Sequence, residues 1–185
     1  MDAQPLITLA EEAHTALSLM IASGRDHISA ISECNRRAAS TLADFHAEQF
    51  KVFLPPLPRA TAADLAEALY AYLSAVFSAS LLLQGRTSPL SEQRAAEYAS
   101  LGRMSRQLLD DVSLLTYCVK GKHPPTPDTF RFYKEWGLAR AAHARESLYG
   151  ERTLYDRALS ESLSFVCATL REAHRATLVL LMESI

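Results

Sequence analysis

Apolar residues recur along this chain at alternating steps of three and four, the spacing that places them on one face of a helix. From Leu17 the pattern continues through Ile21, Gly24, Ile28, Ile31, Asn35, Ala38, Leu42 and Phe45, a repeat close to 3.5 residues. Tyr98, Leu101, Ser105, Leu108, Val112, Leu115 and Val119 form a second such row. A third begins at Phe130, Tyr133, Gly137, Ala141, Ala144 and Leu148 and resumes from Tyr155 through Leu159, Leu163, Val166, Leu170, Ala173, Thr177 and Leu181. Strict alternation of apolar and polar residues, the mark of a half-buried strand, runs nowhere for long, and the dipeptides that build tight hairpins are missing.

Proline divides these rows, because it lacks a backbone donor and its ring clashes with the preceding helical turn. The prolines fall at Pro5, at Pro55, Pro56 and Pro58, at Pro89, and at Pro124, Pro125 and Pro127. The proline-free stretches predict helices over about 6–53, 61–84, 89–120 and 128–184, with breaks allowed near Gly24 and Gly150. Thr8 with Glu11 has the spacing of a reciprocal capping box. Thr61 with Asp64 opens the second segment, and Gly85 is placed to end it in the left-handed conformation. Ser88 and Pro89 are placed to open the third. Continuity through Gly24 is the preferred reading. The expectation is an all-α, elongated antiparallel bundle of four or five helices forming a single domain, 1–185. Unbroken first and last helices would each exceed about 65 Å, more than the shorter middle helices cover, which points to self-association as a homodimer.

The segment from Ala68 to Gly85 holds no charged residue and would extend about 27 Å as a helix. Three serines, two tyrosines and a glutamine, with no bias of basic residues in the flanks, fit a buried central helix better than a transmembrane span. With 49 % apolar residues the chain has enough material for one continuous core. A formal charge of -2 supplies no field to gather nucleic acid or anionic lipid. Cys34, Cys118 and Cys167 are single and widely spaced, so neither a disulfide framework nor a metal knuckle follows from them. Asp2 stands where a secretory leader carries a basic residue, and the expected location is cytoplasmic.

Candidate chemistry is sparse. Glu11 and His14 form one ExxH pair, whereas a carboxylate-bridged di-iron bundle takes two such pairs and two further glutamates. His143 and Glu146 have the reverse order. His14 reads as a hydrogen-bonded core histidine, and Asp110-Asp111 as a solvated pair without a third carboxylate. No nucleophile elbow, P-loop or dinucleotide fingerprint is present, so the expectation is no catalytic residue, no metal and no cofactor. Two features suit an interface. Asn35 interrupts an apolar row, where a single buried amide fixes register and partner number. Phe130, Tyr133 and Trp136 form an aromatic cluster beside a rigid linker.

The stretch LAEEAHTALSLMIASGRDHISAISECNRRAASTLADFHAEQF, and more loosely the chain on to residue 84, resembles the phasins, alanine-rich helical proteins that coat polyester granules. The resemblance implies a non-catalytic protein that lays amphipathic helices on an apolar surface and oligomerises. Both lines of reading converge on a helical interaction protein that self-associates and binds an apolar surface or partner protein. The alternative is a small-molecule sensor or small enzyme with an interhelical pocket lined by Tyr70, Tyr72, Tyr98, Tyr117 and Trp136.

Overall fold

Glycine and aspartate decide where the first helical row breaks. In the computed structural model, which describes residues 3–51, 59–86, 90–121 and 154–184, α1 (Gln4–Ser23) ends on Gly24 and α2 (Ile28–Lys51) begins four residues later. Gly24 has φ 66° and ψ 8°, and its N–H donates to the Met20 carbonyl at 3.0 Å. That left-handed residue turns the chain out of the helix. Asp26 then accepts the Ile28 N–H at 2.9 Å, satisfying an otherwise orphaned amide at the start of α2. Residues 4–51 therefore form two helices packed on each other, and the expected continuity fails because Gly24 and Asp26 supply a stop and a start within three residues. A Cβ at Gly24 would meet nothing within 4 Å. Gly24→Ala is accordingly expected to cost only the backbone strain of a left-handed alanine, about 1 kcal/mol, read as a lowered urea midpoint with unchanged slope.

The other helices are α3 (Arg59–Gln84), α4 (Glu92–Gly121) and α5 (Leu154–Ser184); among the described residues there is no strand. Several boundary signals work differently from expectation. Thr8 lies inside α1, where its hydroxyl donates to the Gln4 carbonyl at 3.1 Å, and no side chain caps that helix. Thr61 is likewise inside α3 and reaches across to Glu183 Oε2 at 2.6 Å. Gly85 keeps a negative φ and simply extends the helical ladder to the Leu81 carbonyl. Ser88 and Pro89, expected to open the next helix, lie outside the described residues; within them Ser91 Oγ accepts the Arg94 N–H at 3.3 Å at the start of α4. The allowed break near Gly150 and the span 128–153 lie outside the described residues.

Helices α1, α3, α5 and α4 touch in turn and close a four-membered ring, and α2 packs on α1 and α3 from outside. Cross-helix pairs give the directions. Asp26 meets Gln84, Asn35 meets Ser74 and His46 faces Glu67, so α2 and α3 are antiparallel. Ser105 meets Cys167 and Asp111 faces His174, so α4 and α5 run the same way. The four helices of the ring share one core, with Leu69, Leu73, Leu108, Leu115, Leu159 and Leu170 fully buried.

Membership of the ring explains how much of each helix is buried. Helix α2 touches two neighbours from one side and buries Ile31, Ala38 and Phe45 of its predicted row, with Cys34 beside them, while Ile28, Asn35 and Leu42 of that row are half-buried. Helix α1 touches three and buries far more of its circumference. In α3 the span Ala60–Gln84 is long and apolar enough to cross a membrane by length and composition, and half of its most apolar window is buried inside the bundle. Its neighbours α1, α2 and α5 supply that cover.

Candidate functional site

Each helix of the ring contributes one polar side chain to a buried layer. From α1 comes His14, whose Nδ1 lies 2.8 Å from the Tyr72 hydroxyl of α3. From α4 and α5 come Ser105 and Cys167, which share a hydrogen bond at 3.1 Å. All four are buried. His14 also has a hydrogen bond to the backbone of Gly102, on α4. A neutral imidazole carries one N–H; with that proton directed to Gly102, Nδ1 is the acceptor and Tyr72 donates.

Electrostatics keep this layer neutral. Burial pushes the His14 pKa down to about 4, and the nearby Arg106 charge adds to the effect against the opposing influence of Gly102 and Asp110. Burial above all, with Cys167 nearby, raises the Tyr72 hydroxyl far above its ordinary range. At neutral pH the layer therefore holds a neutral imidazole and a protonated phenol. A second histidine, His174 on α5, is fully buried and pushed down to about 4 by burial alone. Asp111 Oδ2 stands 3.9 Å from its Nε2, beyond hydrogen-bond reach. The Asp111 carboxyl is itself raised, by burial first and by Asp110 second. Only Asp110 matches the solvated pair expected from sequence, held at 2.8 Å by Arg106; Asp111 is tucked between α4 and α5.

Among the described residues no group of three or more histidine, cysteine or carboxylate side chains is placed to hold a metal ion. His14 turns into the core toward Tyr72 rather than joining Glu11 as a ligand pair. His143 and Glu146 lie outside the described residues, as do Phe130, Tyr133 and Trp136. Asn35 is half-buried, and its Oδ1 accepts from Ser74 Oγ at 3.2 Å, so within the chain it sets the height of α2 against α3. Cys34 packs beside Glu12, and burial raises its thiol pKa before that carboxylate raises it further.

Of the residues expected to line an interhelical pocket, Tyr70 is half-buried and Trp136 lies outside the described residues. Tyr72 and Tyr98 are core residues and Tyr117 points outward. Two cavities follow the seam of α1 with its neighbours. One, of about 340 Å³, opens between α1 and α4 beside His14, Arg103 and Arg106. The other, of about 520 Å³, lies at the α1–α2 turn near Leu83, Arg86 and Leu90, and Ile21 and Ala22 belong to both.

On the outside, Leu114 and Tyr117 of α4 are 51 % and 67 % exposed, and Phe165 and Met182 of α5 are 59 % and 71 % exposed. The pairings of Ser105 with Cys167 and Asp111 with His174 put Tyr117 level with the turn before Met182, so Leu114, Tyr117 and Met182 share one end of the bundle. No protein-family model matches the chain, and no curated protein matches it either.

Proposed function

We propose that this chain is a non-catalytic, cytoplasmic helical module that associates with a second copy of itself or with an apolar surface of a partner through the outer faces of α4 and α5. The observation that carries this reading is the set of large apolar side chains left in solvent at Leu114, Tyr117, Phe165 and Met182. Tyr117 and Phe165 are aromatics that bury much area at an interface, and Leu114 and Met182 add apolar area. The length argument drawn from the sequence lends no support for the first helix, since α1 and α2 are separate and about 30 Å and 36 Å long. The resemblance of residues 9–84 to phasins agrees with a binding role.

Light scattering across a concentration series, with retention on a phenyl matrix, tests the proposal. The chain is expected to exceed its monomer mass of 20.4 kDa and to be retained. Tyr117→Ser with Met182→Ser is expected to lower both without altering the helical circular dichroism. A chain that stays monomeric at every concentration and passes through the matrix would refute the reading.

A further inference from the structure

The cleft between α1 and α4 combines charges and apolar walls in a way the outer faces do not. Arg103 and Arg106 sit one turn apart on α4, and His14, Thr15 and Ser18 line the opposite wall from α1. The rest of the lining is Ile21, Ala22, Ala99 and the bare backbone at Gly102, with no carboxylate among the described lining residues. Arg106 uses Nε for its 2.8 Å pair with Asp110, which engages one edge of the guanidinium. No carboxylate among the described residues pairs with Arg103. Two guanidinium groups above an apolar floor make a planar, anion-seeking mouth on a space that water gains little by filling.

We propose that this cleft binds an aliphatic monocarboxylate, with its carboxylate on Arg103 and Arg106 and its alkyl chain laid along Ile21, Ala22 and Ala99. The cavity volume of about 340 Å³ lies at the small end of ligand pockets. A longer chain has room to continue, because Ile21 and Ala22 are also walls of the larger cavity bounded by Met20, Leu83 and Leu90. A carboxylate fits better than phosphate: its two oxygens match a guanidinium edge, and its tail replaces water against apolar walls that a phosphate would leave unused. Because the site shares no residue with Leu114, Tyr117, Phe165 or Met182, its success or failure is independent of the association described above.

Calorimetric titration of the whole chain at constant ionic strength with butyrate, hexanoate and octanoate, with 1-hexanol and with inorganic phosphate, tests the proposal. Affinity is expected to rise about fourfold per added methylene. Hexanol is expected to bind roughly tenfold or more weaker than hexanoate, and Arg103→Gln to lose a similar factor for hexanoate, as the loss of a charge-assisted hydrogen bond predicts. Arg103 is exposed, so this variant retains its fold, which an unchanged melting temperature would verify. Ala99→Leu, which fills the floor, is expected to abolish binding. Affinity independent of chain length, equal binding of hexanol, phosphate bound as tightly as hexanoate, or an indifferent Arg103→Gln would each overturn the assignment.

Discussion

Acidification from pH 7 to 4.5 is expected to remove about 5 kcal/mol of folding stability through two buried imidazoles. In the unfolded chain His14 and His174 protonate around their ordinary value of 6.5, whereas in the bundle each is pushed down to about 4. Between those values the unfolded chain binds two protons that the folded one excludes. The stabilisation is therefore complete above pH 6.5, declines as pH falls, and levels off below about 4. At pH 4.5 each histidine accounts for about 2.5 kcal/mol, a large share of the 5–15 kcal/mol typical of a domain. Asp111 acts with the opposite sign, since its raised carboxyl pKa favours the folded state in acid. Urea unfolding at several pH values measures the slope. A midpoint that stays constant between pH 7 and 5 would show that these imidazoles are not sealed in.

Truncating Tyr72 is expected to have the largest single-residue effect. Tyr72→Ala empties a fully buried ring and removes the donor to His14, for a loss of about 3–5 kcal/mol. Tyr72→Phe keeps the ring and orphans the His14 acceptor, for about 1–3 kcal/mol. The two variants separate packing from hydrogen bonding. Tyr72→Phe should also let the His14 pKa rise, because the neutral ring loses the bond that favoured it, and histidine NMR signals followed against pH would record the change. Equal stability of wild type and Tyr72→Phe would mean that the layer contributes nothing to the fold.

How far these features can be read in the sequence depends on how many neighbours a helix has. The row from Ile28 to Phe45 is largely legible because α2 rests on the bundle from one side, burying Ile31, Ala38 and Phe45 fully and Ile28, Asn35 and Leu42 in part, although Cys34 beside the row is buried too. His174 escapes the same reading: α5 lies between α3 and α4, so residues flanking the Leu170, Ala173 and Thr177 row are buried as well. His14 is readable as a core histidine, but its partner Tyr72 is 58 residues away and nothing local announces it. The helix breaks fail differently. Thr8 and Thr61 match capping patterns that the structure leaves unused, whereas Asp26, two residues past a glycine, carries the real signal. The basic mouth of the α1/α4 cleft has no sequence signature, since Arg103 and Arg106 acquire their meaning only when α1 supplies the facing wall.

The bond from Thr61 to Glu183 joins residues 122 apart. During synthesis at about 5–20 residues per second, α3 emerges roughly 6–24 s before the helix that closes the ring over it. In that interval only the faces of α3 that meet α1 and α2 have their final neighbours, and the face that meets α5 has none. The outer position of α2 thus offers the nascent chain partial cover, and in a ribosome-bound chain ending before α5, loss of α2 is expected to speed proteolysis of α3.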